Sequence, residues 1–337
     1  MRLKPIFYSI LLGLIFGTVS PLFAKAPTTP KILFSSRRDG NLEVYMMNPD
    51  GSEQSNLTQH PAHDLQAAWS PTGEQILFVS DREGTRDLYV MDADGANVQP
   101  VFKEKTHVWR TAPTWSPDSK QFAYQNVDWN FIEGGLYLGT FGKEDAEFIA
   151  KYGDPAWSPD GSVIAGSVAQ GPGNRVMFIN VRTRETEQPL PDEALLFQFD
   201  PSWSAAGDRL AFAGNKHPLP VILDRDLHRA WKDKQTIYIV NRDGTGLRQL
   251  VEEAGRHAED PELSPDASEV LYTQGFAALF IFKVDVNSGI RTQLTHTGGD
   301  YGGDWFDPTY ALPVSPQPDL LTTTWGELKK EEPDGRK

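Results

Sequence analysis

The sequence predicts an all-β fold, a six-bladed β-propeller of four-stranded antiparallel blades, and three observations point to it. The first is a phrase that returns six times: Trp69-Ser-Pro-Thr-Gly73, Trp115-Ser-Pro-Asp-Ser119, Trp157-Ser-Pro-Asp-Gly161, Trp203-Ser-Ala-Ala-Gly207, Leu263-Ser-Pro-Asp-Ala267 and Trp305-Phe-Asp-Pro-Thr309. The second is its period, with intervals of 46, 42, 46, 60 and 42 residues between neighbouring markers. A repeat of that length built from short strands and turns marks a radial array of small sheets. The third is that the chain ends complement each other. The front, from Ile32 to Thr58, supplies strands two to four of a blade, and the back, from Asp300 to about Leu312, supplies a first strand. Joining them completes the sixth blade and hides the open edges of a partial ring.

Residues 1–26 read as a signal peptide. Arg2 and Lys4 give a positive start, Ile6 to Val19 is apolar, and Ala24-Lys25-Ala26 has the small-x-small form of a cleavage site. The alternative is an uncleaved anchor, for which the run is short. The expected location is therefore outside the cytoplasm, periplasmic or extracellular, with no membrane span after cleavage.

Within each repeat the marker strand leads through a tight turn to a second strand: Ile32-Leu-Phe34, Ile76-Leu-Phe-Val79, Phe122-Ala-Tyr124, Val163-Ile-Ala165, Leu210-Ala-Phe212 and Val270-Leu-Tyr272. Third strands follow at Val44 to Met47, Leu88 to Met91, Leu136 to Leu138, Val176 to Ile179, Ile237 to Val240 and Leu279 to Phe282. Short β-branched and aromatic runs bounded by Gly, Pro and Asp are strands rather than helices. A thinner fourth strand ends each unit, and Pro100 and Pro189 there suit an outer edge. In Ser-Pro-Asp-Gly, proline presets the first corner and glycine takes the left-handed position. Ser119 and Ala267 stand where that glycine is expected and should carry strain of roughly 1 kcal/mol. The domains are thus a signal peptide (1–26), a propeller (27–312, closed by 300–312 against 31–58) and a Pro-rich, charged tail (313–337) outside the ring.

Composition excludes several classes. There is no cysteine, so disulfides and thiolate metal sites are out. A formal charge of −14 argues against nucleic acid and anionic lipid as partners. No Gly-x-Ser-x-Gly is present and no hydrolase domain fits after Leu312, so a peptidase is not expected. The chain is expected to be monomeric.

Trp-Ser-Pro-Asp-Gly, followed by Ile76 to Gly84 and Leu88 to Gly95, resembles the TolB-like β-propeller repeat family, and Asn56 to Asp64 is similar to that family's link between blades. The resemblance covers roughly residues 31–312. It implies a propeller that serves as an interaction platform, here without the N-terminal α/β domain of TolB itself. Some pectate-degrading lyases also resemble such propellers and use histidines.

Four-stranded blades place their regular turns on one face. The other face carries the two-to-three loops and the blade links, and here nearly everything irregular falls on it. Residues 214–235 enlarge one such loop, 126–135 another, and the link at 103–112 holds His107, Trp109 and Arg110. Trp109, Trp129 and Trp231 all map there, and exposed aromatics beside Arg suit anchoring of a peptide or sugar. The alternative is that each pins its own loop. The expected binding residues are Trp109, Arg110, Trp129, Trp231, His107 and His257, for an envelope or extracellular protein, peptide or glycan. No cofactor is expected. The competing reading is a propeller lyase or hydrolase with a metal at the channel mouth, held by His63, His107, His257 and His296 with Asp64, Asp200, Asp260 and Asp300 nearby.

Overall fold

The computed structural model describes residues 25–128, 134–191, 195–221, 224–253, 255–276 and 278–312. The expected signal segment up to residue 24, Trp129 and the tail from residue 313 lie outside them. The described chain is strand throughout apart from one short helix. Sheet I holds β1 (Lys31–Ser36), β2 (Glu43–Met47) and β3 (Ser55–Asn56), and sheet II holds β4 (Asp64–Trp69), β5 (Gln75–Ser80), β6 (Asp87–Asp92) and β7 (Gln99–Pro100). Sheet III holds β8 (Trp109–Trp115), β9 (Gln121–Val127), β10 (Gly134–Thr140) and β11 (Ala146–Ala150). Sheet IV holds β12 (Gly153–Trp157), β13 (Val163–Gln170), β14 (Gly173–Asn180) and β15 (Thr186–Glu187). In sheet V are β16 (Phe197–Trp203), β17 (Arg209–Asn215), β18 (Thr236–Asn241) and β19 (Arg248–Gln249), with helix α1 (Arg225–Lys232) between β17 and β18. Sheet VI has β20 (Ala258–Leu263), β21 (Glu269–Gly275), β22 (Leu279–Asp285) and β23 (Arg291–Gln293), and β24 (Asp300–Phe306) follows.

Consecutive strands pair antiparallel within each sheet, and β24 pairs antiparallel with β1, giving the order β24-β1-β2-β3. A single parallel bridge, Asn174 to Phe197, links sheets IV and V. These four-stranded antiparallel units are consistent with a β-propeller. Their outer strands are mostly two or three residues long, which limits the pairing edge they expose.

The apolar clusters lie between sheets. Trp69, Ile76 and Phe78 of sheet II pack with Leu33 and Val44 of sheet I. Trp115 of sheet III packs on Leu77 and Val79 of sheet II. Trp157 joins sheets III and IV, Trp203 joins IV and V, and Leu263 joins V and VI. Ile32 and Phe34 of sheet I meet Leu271 and Ile281 of sheet VI. The repeated marker therefore fills the gap to the preceding sheet, and five of the six markers are buried.

The first strands share a bulge. Pairing slips between Leu65 and Ala68, Thr111 and Thr114, Gly153 and Ala156, Phe199 and Ser202, and Glu259 and Glu262, with a matching slip where β24 meets β1. The third residue before each marker has a positive φ: Gln66 51°, Ala112 48°, Asp154 48°, Asp200 50°, Asp260 50° and Gly302 64°. An extra residue in one strand bends and twists it, re-aiming the side chains at the bulge. Pro113, Pro155, Pro201 and Pro261 come next, where a broken ladder needs no N–H. Ser119 (φ 58°) and Ala267 (φ 56°) do take the left-handed position of the marker turn.

Replacing Trp157, 8% exposed between sheets III and IV, by Ala should cost about 3–5 kcal/mol. Chemical denaturation measures it, and an unchanged midpoint would contradict the packing described.

Candidate functional site

The long segment between β17 and β18 folds back as α1. Asp224 caps it, its Oδ1 accepting from the N–H of Asp226 at 3.0 Å and of Leu227 at 2.9 Å. Asp226 in the first turn and Arg229 and Lys232 in the last complement the helix dipole. No side chain of α1 is buried. The helix is held at its end: Trp231 Nε1 donates to the His217 carbonyl at 2.8 Å, and Asn215 Nδ2 donates to the Trp231 carbonyl at 2.7 Å. The Trp231 ring meets Phe197 edge-on at 4.9 Å. Lys232 reaches Glu259 at 3.1 Å, tying the helix to sheet VI.

Between α1 and the β21–β22 turn lies a cleft of about 360 Å³, walled by Arg225, His228, Arg229 and Lys232 on one side and Phe276 on the other. Phe276 also borders a second groove of about 430 Å³ that runs over Ala278, Phe280 and Phe282. The Arg229 guanidinium sits 4.2 Å from the Phe276 ring centre and that of Arg256 5.9 Å away. His257 is only 4% exposed at the cleft floor. Its Nε2 lies 3.3 Å from Glu259 Oε1, while its Nδ1 and Asp233 Oδ1, 3.6 Å apart, are buried without a hydrogen-bond partner. Burial would raise the Glu259 carboxyl, but His257 and Lys232 beside it prevail and hold it below its usual range.

The other residues expected from the sequence are dispersed. Arg110 makes a two-pronged pair with Asp87 at 3.0 and 2.9 Å and lies 3.9 Å from the Phe102 ring centre. Trp109 is partly buried under the Arg86 guanidinium, 4.9 Å from its ring, and His107 is exposed. His63 Nδ1 accepts from the Leu42 N–H at 3.1 Å, joining sheets I and II, and His296 is exposed. Asp64 takes the Arg82 guanidinium at 3.1 Å, and Asp300 takes Arg38 at 3.0 Å and Ser36 Oγ at 2.5 Å. Only His257 and Trp231 belong to the α1 region. Among the described residues, no three His, Asp or Glu side chains are grouped so as to hold a metal.

Arg225, Arg229, Arg256 and Phe276 were not anticipated. The one local signal is Asp224, a good helix cap, followed by arginines four residues apart. A second set of groups sits on the bulged first strands. Asp154, Asp200 and Asp260 occupy the bulge itself, and Glu262 and Asp304 lie just before their markers. Each keeps some solvent-accessible area, yet each is walled by protein deeply enough that burial raises its carboxyl, with Asp200 and Glu262 well above the usual range. Asp260 is pushed up to about 7 by burial and by the charges of Glu259 and Asp154. Asp304 is also pushed up to about 7 by burial, against the N–H groups of Trp69 and Trp305 that it accepts.

Residues 16–133 match the TolB beta propeller domain family. No curated protein matches the chain. Among solved structures, TolB from Acinetobacter baumannii is similar at 14% identity and a TM-score of 0.68, over 82% of this chain and 66% of that one. An Agrobacterium tumefaciens protein assigned as TolB aligns at 15% identity and a TM-score of 0.59, over 83% of this chain and 99% of its own. Hydrazine synthase of Kuenenia stuttgartiensis aligns at 13% identity and a TM-score of 0.65, over 87% of this chain and 48% of its own. The chain thus resembles TolB-like propellers, and at these identities the likeness is one of fold. Among the described residues, no helix is long and apolar enough to cross a membrane.

The raised Asp260 carboxyl makes stability pH-dependent. Its contribution is fully present below the ordinary aspartate range and is lost as pH rises through about 7. Asp260→Asn should therefore melt higher than the native chain at pH 8, by roughly 1–4 kcal/mol of stability, with the gap closing toward pH 4. Thermal melts across that range test this, and a pH-independent gap would contradict it.

Proposed function

We propose that the six sheets are the blades of a closed six-bladed propeller, exported after removal of residues 1–26, that acts as a non-catalytic platform for a protein partner. The closing contact is β24 on β1, supported by the sheet VI to sheet I cluster around Ile32 and Leu271. The binding face is the one that carries α1, the β21–β22 turn and the links between sheets.

One observation carries this reading. Of the eight large apolar side chains exposed among the described residues, Leu219, Val221, Leu227 and Phe276 belong to the α1 segment and the turn facing it. On the opposite face, Ile290 stands in the β22–β23 turn. Exposed apolar groups gathered on one insert and the turn facing it, among charged side chains, support an interaction surface there. α1 itself supports the reading, because it is held at its end by Trp231 while the rest of its surface is open to solvent.

A photo-crosslinking residue at Leu227, exposed and outside the core, should capture a partner in the native envelope. The same residue at Ile290 should not. Equal capture from both positions, or capture from Ile290 alone, would overturn the assignment of the face.

A further inference from the structure

We propose that the cleft between α1 and the β21–β22 turn recognises an acidic peptide segment, its carboxylates held by Arg225 and Arg229 and its apolar side chains laid along the groove over Ala278 and Phe280. This rests on the platform reading above and specifies the chemistry of the partner.

Charge is the first ground. In a chain of formal charge −14, this wall gathers Arg225, Arg229, Lys232 and Arg256. Lys232 is paired with Glu259 at 3.1 Å and Arg256 with Asp233 at 3.3 Å. Arg225 and Arg229 have no carboxylate within ion-pair distance among the described residues. Four residues apart on a helix, they share one face and repel each other until an anion lies between them. Guanidinium forks match the planar carboxylate in two-pronged geometry.

The surroundings select among anions. Asp224, Asp226, Asp233 and Glu259 border the basic wall, so a long polyanion such as nucleic acid would meet repulsion on leaving the cleft, whereas a short acidic segment would not. A neutral sugar stacks on a bare aromatic face, but the Phe276 ring carries the Arg229 guanidinium at 4.2 Å. The groove over Ala278, Phe280 and Phe282 continues from the same Phe276, so the site offers a charged half and an apolar half in series. A peptide supplies both chemistries in successive side chains.

The probe is a fluorescein-labelled octapeptide of alternating Glu and Phe, titrated into the full chain and read by anisotropy. It should bind, and the double substitution Arg225→Ala with Arg229→Ala should weaken it about tenfold or more. The melting temperature should not move, because no side chain of α1 is buried. Lys216→Ala, at another basic residue of the same insert, should leave the affinity unchanged. An alternating Lys-Phe octapeptide and cellopentaose should not displace the probe. Absence of Glu-Phe binding, equal binding of the Lys-Phe peptide, displacement by cellopentaose, or indifference to the double substitution would each overturn the proposal. If crosslinking from Leu227 persists while the Glu-Phe peptide fails to bind, the platform stands and the acidic-peptide assignment falls.

Discussion

The structure depends on the seam between successive first strands. β4, β8, β12, β16, β20 and β24 touch one another in that order, and β24 touches β4. At five of the six seams a backbone or indole N–H of one marker donates to the residue before the preceding marker. Glu262 aside, with the Trp305 N–H bonded to Asp304 at 2.9 Å, a residue before the marker that carries an acceptor caps the N–H of the next marker with its side chain. Asp304 does this for Trp69, Thr114 for Trp157 at 3.4 Å and Ser202 for Leu263 at 3.0 Å. Where that residue is alanine, the next indole turns instead to its carbonyl: Trp115 to Ala68 and Trp203 to Ala156, both at 3.1 Å. The indole of Trp69, whose backbone N–H is served by Asp304, is buried without a partner, whereas that of Trp157 donates to the Gly161 carbonyl at 3.4 Å.

The same geometry explains the cost held in the first strands. A left-handed residue without glycine is unfavourable by about 1–2 kcal/mol, yet Gln66, Ala112, Asp154, Asp200 and Asp260 all adopt that conformation. Part of the return is visible, since Gln66 Oε1 accepts from the Ala112 N–H at 3.0 Å. Beyond the effect of burial, the bulges bring Asp154 close enough to raise the carboxyls of Asp200 and Asp260, and Asp260 close enough to raise that of Asp200. A scaffold fixed this way leaves its turns uniform and its irregular loops free to differ. The α1 segment is the largest such departure, and it is attached through Trp231, Lys232 and Asp233 rather than through the seams.

Much of the strand pattern was legible because its signals are local. Ser-Pro-Asp-Gly chemistry fixes each first turn, and runs such as Ile76 to Val79 cannot be amphipathic helix. The bulge was not legible, because Ala112 and Gln66 have no intrinsic taste for a positive φ and the neighbouring strand imposes it. Helix α1 was missed for a different reason: none of its side chains is buried, so it leaves no apolar periodicity to detect. Trp231 was found as a departure from the repeat, yet whether it binds or pins depended on Phe197 and His217, which no spacing rule connects to it. Arg110 likewise gave no hint of Asp87, 23 residues earlier, as its partner. Phe276 stood outside every repeated phrase, and only its contact with Arg229 gives it a role.

The central claim is a division of labour, in which one face is scaffold and the opposite face, at α1, recognises the partner. Hydrogen exchange of the full chain, with and without saturating Glu-Phe octapeptide, tests it most directly. Slowed exchange confined to 224–233 and 275–280, with the marker turns at 70–73, 116–119 and 158–161 unchanged, is the predicted result. Slowing at those marker turns, with α1 unaffected, would contradict the account.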